Sequence, residues 1–206
     1  KCVVFDFDGT LADSEKIIIS IYDHFAAVNN KPKLTGEIKQ KLRDGTTRQA
    51  IMWAGIKFWQ IPKLLNLARI EYKKRSAKIK IFTGMKSLVK ELGKDFDIYI
   101  LSTNNERTVR RILKSNNFKT DVIILKGSSV FGKEKALKRL LKNNNYERTA
   151  SWMIGDEMRD IEAGNKSGLN TIGVTWGLQS KMGLNRARPD YIAEKPEDIA
   201  KFISGK

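Results

Sequence analysis

Phe5-Asp6-Phe7-Asp8-Gly9-Thr10 places two carboxylates two residues apart at the end of the apolar run Val3-Val4-Phe5. An unbroken run of β-branched and aromatic residues predicts a strand buried on both faces of a parallel sheet, and Gly9 ends it. Asp6 and Asp8 therefore stand at the strand's carboxyl end. If the extended backbone continues through Phe7, both side chains point into one space, which in an open α/β sheet is the ligand crevice. Two acids this close do not both stay ionised unaided, so one holds a proton or a cation lies between them. A metal-bound carboxylate can attack as a nucleophile, and a protonated neighbour can give its proton to a leaving oxygen. On this stretch alone, a pair of turn acids capping the next element stays open. A calcium loop does not: its sixth and twelfth positions need Gly and Glu, and here they are Leu11 and Ile17.

Beyond Gly84 the chain alternates in the α/β manner. The pattern predicts helices over Met85 to Leu92, Glu106 to Lys114, Glu134 to Lys142, Asp160 to Ser167 and Pro196 to Ile203. Between them it predicts strands over Asp97 to Leu101, Val122 to Leu125, Ser151 to Ile154 and Thr171 to Val174, with a short edge strand over Tyr191 to Ala193. Such alternation gives a doubly wound, mostly parallel sheet with helices on both faces. From Ser14 to about Lys80 the pattern is helical instead. Ile17, Ile18, Ile21, Tyr22 and Phe25 share a helix face that ends at Asn29-Asn30-Lys31-Pro32, and Thr35 to Leu42, Thr46 to Trp53 and Phe58 to Ala77 read as three further helices. The expected division is a core of residues 1–13 and 81–206 with a helical cap inserted at 14–80. Trp53, Phe58, Trp59 and the single His24 are expected to pack inside that insert.

Two further strand ends carry polar groups. Ile100-Leu101 runs into Ser102-Thr103-Asn104 just before a helix, where hydroxyls and free N–H groups suit either an anion or simple capping. Trp152-Met153-Ile154 runs into Gly155-Asp156-Glu157-Met158-Arg159-Asp160. Asp156 and Asp160, with Asp6, offer the hard oxygen ligands that magnesium prefers. Between them, Gly127 to Lys133 spells G-x-x-x-x-G-K, the frame of a phosphate-binding P-loop. The next residue is Glu134, where that loop needs Ser or Thr for its magnesium, and this argues against a P-loop kinase or ATPase.

These four segments, in this order, resemble the four motifs of the haloacid dehalogenase superfamily, nearest to its phosphoglycolate-phosphatase-like and β-phosphoglucomutase-like members. The resemblance implies a Rossmann-like core with a helical cap and a magnesium-dependent phosphatase reaction on a small phosphate ester. It implies Asp6 as nucleophile, Asp8 as general acid and base, Ser102 and Lys133 holding the phosphoryl group, and Asp6, Asp8, Asp156 and Asp160 around the metal. Lys135 is an alternative to Lys133, and Glu157 to Asp160. Gly9, Thr10, Thr103 and Asn104 would line the phosphate site. Arg43 and Arg48, in the cap stretch Arg43-Asp44-Gly45-Thr46-Thr47-Arg48, would grip the distal part of the substrate. Asp8 argues against dehalogenation and phosphonate cleavage, whose enzymes replace it. A phosphosugar mutase shares all four motifs and remains the alternative within the family.

The chain has 206 residues, 41% of them hydrophobic, enough for one substantial core with an insertion. Its single Cys2 excludes an internal disulfide and suits a reducing cytoplasm. No apolar run approaches a membrane span. The opening residues lack the pattern of a signal peptide, although a first residue Lys1 leaves a removed leader open. The net charge of +16 raises a nucleic-acid partner, but the lysines are scattered rather than gathered, so steering of an anionic substrate is the simpler reading.

Overall fold

Side-chain alternation sets the sheet. In a computed structural model, which describes the chain except residues 32, 47, 48, 50, 51, 54, 120, 128–131 and 206 and the side chain of Phe58, Val3 and Phe5 enter one apolar cluster while Cys2 and Val4 enter another. Ile98 and Ile100 against Tyr99 and Leu101, and Ile154 against Met153, repeat the division. A strand whose successive side chains feed two cores must be covered on both faces. Each fully buried residue of Phe5's kind stabilises the fold by roughly 2 kcal/mol.

Among the described residues the chain runs β1 (Cys2–Asp6), β2 (Ala12–Asp13), α1 (Glu15–Val28), α2 (Gly36–Asp44), a 3₁₀ turn (Phe58–Gln60), α3 (Ile61–Arg75), a second 3₁₀ turn (Ser76–Lys78) and β3 (Lys80–Ile81). It continues through α4 (Met85–Leu92), β4 (Asp97–Ser102), α5 (Glu106–Ser115), β5 (Ile123–Lys126), α6 (Lys133–Asn144), β6 (Trp152–Gly155) and α7 (Met158–Ser167). It closes with β7 (Asn170–Val174), α8 (Lys181–Asn185), β8 (Tyr191–Ala193) and α9 (Pro196–Ser204). The main sheet has the order β5-β4-β1-β6-β7-β8, every pairing parallel. Its order reverses between β1 and β6, the switch point where a crevice opens at the carboxyl edge. The expected doubly wound α/β fold is thus present.

Residues 14–80 hold helices, as their periodicity predicts, and a small apolar cluster of their own around Phe25 and Ile56 with Tyr22, Ile61, Leu64 and Leu67. The last of these helices is not continuous from Phe58. A 3₁₀ turn precedes it, α3 starts at Ile61 with Pro62 in its first turn, and a second 3₁₀ turn follows Arg75. Of the helix expected over 46–53, residues 47, 48, 50 and 51 lie outside the described ones, and Gln49, Met52 and Trp53 are helical. Trp59 is not a packing residue: it is 72% exposed, with the Lys57 ammonium over its ring. His24 is exposed as well, on the outer side of α1 rather than its inner face. Trp53 is half-buried and covers Gly45. The sequence reading also lacked the antiparallel pair β2–β3, which ties the two ends of the helical segment together, and α8.

Candidate active site

Asp6 closes β1, and there the extended backbone stops. The amides of Leu11 and Ala12 donate to the Phe7 carbonyl at 3.1 and 2.8 Å, and that of Gly9 donates to the Ala12 carbonyl at 2.9 Å. Gly9 has φ +83°, and a side chain there would also run into the Asp156 carboxylate, so the turn needs glycine twice over. β6 delivers Asp156 next door, and the first turn of α7 delivers Asp160. The oxygens of Asp6, Asp156 and Asp160 lie within 4.8 Å of one another, all three side chains buried. Lys133, the first residue of α6, buries its ammonium between two of them, donating to Asp6 Oδ1 at 2.5 Å and to Asp160 Oδ1.

The other lone pairs of these acids are held by the protein. Asp156 Oδ1 accepts from the Thr10 hydroxyl at 2.9 Å and its Oδ2 from the Leu178 amide at 2.8 Å. Asp160 Oδ2 accepts from the Glu157 amide at 3.1 Å, closing a capping box at the start of α7. Burial pushes the Asp6 carboxyl up to about 7, the Lys133 charge opposing and the Asp160 charge adding to the rise. Burial, then the charges of Asp6, Glu157 and Asp160, push Asp156 well above the usual carboxylate range. Burial works against the Lys133 ammonium, but the charges of Asp160 and Asp6 outweigh it and keep the lysine protonated. Fully ionised, three carboxylates facing one ammonium would carry a surplus of two negative charges; without a cation Asp6 and Asp156 hold their protons more tightly, and a divalent cation such as magnesium fits this buried, all-oxygen cluster.

Asp8 does not join this cluster. The strand ends at Asp6, but the Asp8 charge still acts on Asp6 and the Lys133 charge on Asp8, so the two carboxylates stay near one another while only Asp6 joins the three-acid group. Asp8 instead accepts from the Tyr72 hydroxyl at Oδ1 and from Asn104 Nδ2 at Oδ2, the latter at 2.7 Å. Burial pushes its carboxyl up, and the Tyr72 hydroxyl, the Lys133 charge and the Asn104 side-chain amide draw it back in part.

Ser102 is buried at the end of β4, and its hydroxyl accepts from the Asn104 amide at 3.0 Å. None of Ser102, Thr103 and Asn104 caps the following helix; Asn105 does, accepting from the Arg107 amide at 2.9 Å. Thr103 is exposed. Lys135 is exposed too, whereas Lys133 is buried. Glu157 pairs with Arg159 and stands outside the three-acid group. The P-loop frame crosses residues 128–131, outside the described ones. Arg43 is half-buried and pairs with Glu15 at 3.4 Å, while its carbonyl accepts from the Ser180 amide at 2.9 Å. Arg48 lies outside the described residues.

Three residues of the site carried no sequence signal: Tyr72, Leu178 and Gln179. The Gln179 side chain accepts from the Met158 amide at 2.5 Å and donates to the Gly45 carbonyl at 2.6 Å, joining the start of α7 to the end of α2. The loop after β7 leaves the same sheet edge as Asp6 and Asp156, so topology alone draws attention to it once the strands are placed.

A doubly wound sheet whose strand ends converge on buried carboxylates has the form of a Rossmann-like hydrolase. The family model for haloacid dehalogenase-like hydrolases matches residues 3–174, and the chain belongs to that family. It is 27% identical over 206 residues to a phosphoglycolate phosphatase of Synechococcus elongatus, covering 99% of this chain and 97% of that protein. It is 24% identical over 213 residues to pyrophosphatase PpaX of Bacillus mycoides, covering 98% and 96%. A haloacid dehalogenase-like family hydrolase from Streptococcus pneumoniae superposes with a TM-score of 0.81 at 22% identity, covering 98% of this chain and 97% of that one. The expectation of a phosphatase on this fold is borne out at the level of family and enzyme class. No helix among the described residues is long and apolar enough to cross a membrane.

Proposed function

We propose that this chain is a magnesium-dependent phosphomonoesterase that acts on a small phosphorylated metabolite through an aspartyl phosphate. The observation that carries this reading is the Lys133 ammonium shared by Asp6 and Asp160 inside a buried group of three carboxylates. In it, residues 1–13 and 81–206 form the catalytic core, and residues 14–80 form a cap that excludes bulk water. The separate apolar cluster around Phe25 and Ile56 supports that division.

Asp6 attacks phosphorus and the bond to the leaving oxygen breaks, while Asp8 gives that oxygen its proton. Asp8 then takes a proton from the water that attacks the aspartyl phosphate, which returns the Asp6 carboxylate and releases inorganic phosphate. Ser102 and Lys133 hold the phosphoryl oxygens, each preorganised donor contributing about 3 kcal/mol at the transition state. Asp6 and Asp156, with Asp160 directly or through water, would hold magnesium, which would supply positive charge against the phosphoryl oxygens. Asp8 is assigned to proton transfer alone, because its oxygens are turned to Tyr72 and Asn104.

Thr10 and Gly9 act by shaping the site rather than by touching substrate, since the Thr10 hydroxyl is given to Asp156 and the Gly9 amide to Ala12. Arg43 and Arg48 are assigned to the distal end of the substrate, where a guanidinium suits a second anion. A cytoplasmic setting fits the one free cysteine, Cys2. The test is magnesium-dependent phosphate release from a panel that contains phosphoglycolate, pyrophosphate, sugar phosphates and nucleotides. Turnover of at least one small phosphate ester, abolished by EDTA, supports the reading; no release from any member with the folded protein and magnesium overturns it.

A further inference from the structure

Tyr72 is the only buried residue of α3 among those described. Around it Lys73 and Lys74 face solvent, and Glu71 pairs with Lys74 and Arg75 near the surface. Its ring joins the main apolar cluster of Phe5, Phe7 and Leu11, a place where phenylalanine would bury the same carbon surface. The hydroxyl is therefore not explained by packing. A buried phenol needs a partner, and this one donates to Asp8 Oδ1, 64 residues away in the chain. Asn104, from the loop after β4, donates to the opposite oxygen at 2.7 Å. The two donors come from different parts of the fold and grip the two ends of one carboxylate, so turning its plane would break both bonds.

The backbone does not fix that plane by itself. Asp8 lies past the end of β1, and only an isolated bridge to Ala12 pairs it. Proton transfer to a leaving oxygen demands a carboxyl within hydrogen-bond reach and correctly turned, and small misplacements cost orders of magnitude in rate.

We propose that Tyr72 is a positioning residue of the reaction, its hydroxyl holding the Asp8 carboxyl in the orientation from which a proton reaches the leaving oxygen. This rests on Asp8 acting as the general acid. The experiment compares kcat/KM for phosphoglycolate, whose alkoxide leaves poorly, with kcat/KM for p-nitrophenyl phosphate, whose phenolate leaves readily. It uses the wild type, Tyr72→Phe, Asp8→Asn and the double variant. Tyr72→Phe keeps the ring in its cluster, and is expected to lower kcat/KM on the alkyl ester by ~10-fold or more and on the aryl ester by no more than ~3-fold, since acid assistance matters most for poor leaving groups. The double variant should fall no lower than Asp8→Asn alone, because a residue acting through Asp8 has nothing left to position. Equal losses on both esters, or a further loss in the double variant, would overturn the proposal. If Asp8→Asn is selective for the alkyl ester and Tyr72→Phe is not, the Tyr72 role alone fails. If Asp8→Asn itself shows no leaving-group dependence, the acid role of Asp8 fails first.

Discussion

Lys133 and Asp6, 127 residues apart in the chain, are joined by a buried hydrogen bond of 2.5 Å between ammonium and carboxylate. The lysine reaches inward because it is the first residue of α6, where its side chain can turn off the helix toward the carboxyl edge of the sheet. Lys135, two residues on, is exposed. Lys133→Ala is expected to lower kcat by ~10²-fold or more, as loss of a preorganised charge at a transferring group does. Lys135→Ala should leave kcat within about twofold, in keeping with an exposed position. Steady-state assays of the two variants side by side decide the matter, and a reversed ranking would move the phosphoryl contact to Lys135.

The metal assignment separates Asp156 from Asp160. Asp160 spends one oxygen on Lys133 and the other on the Glu157 amide, while Asp156 is held in place by Thr10 and Leu178 without a cationic partner among the described residues. Asp156→Asn is therefore expected to raise the magnesium concentration for half-maximal activity more than Asp160→Asn. Magnesium titrations that rank the two the other way would make Asp160 the stronger ligand.

Stability should depend on pH in a direction set by the same acids. Burial lifts Asp6 to about 7 and Asp156 well above its usual range, so the metal-free folded state binds more protons than the unfolded chain between about pH 4 and 7. Stability from these groups is present below about pH 4 and is lost as pH rises through their folded values. Thermal melts in EDTA should show the melting temperature falling across that window, and magnesium should restore it most at the upper end. A metal-free protein whose melting temperature rises steadily from pH 5 to 7 would contradict this charge balance.

The strand-and-turn grammar of the core was readable because each strand feeds two apolar clusters and stops at glycine, acid or hydroxyl. Val3 to Phe5 stops at Asp6 and Trp152 to Ile154 at Gly155, while Ile98 to Leu101, which also feeds both clusters, stops at the hydroxyl of Ser102. Asp6, Asp156, Asp160 and Lys133 were legible for the same reason, since each stands where a strand ends or a helix begins. The orientation of Asp8 was not, because periodicity cannot tell that the extended backbone stops at Asp6 and that the Phe7 carbonyl closes a turn. Tyr72 was hidden by its own chemistry: an aromatic in an amphipathic helix reads as packing, and only the fold brings its hydroxyl to Asp8. Trp59 misled in the opposite sense, as a large aromatic that stays on the surface beneath Lys57. The two-residue strands Ala12–Asp13 and Lys80–Ile81 are too short for any period to show.

The central claim is that Asp6 carries the phosphoryl group during turnover. The most direct measurement is to quench the enzyme in acid while it turns over a phosphate ester with magnesium, then locate the phosphoryl group by peptide mass spectrometry. Asp6 should bear it in the wild type, and Asp6→Asn should show none, with kcat lower by ~10⁴-fold or more, as loss of a nucleophile from a cooperating site gives. A phosphoryl group mapped to another residue, or an Asp6→Asn variant that keeps more than about a tenth of wild-type kcat, would contradict the account.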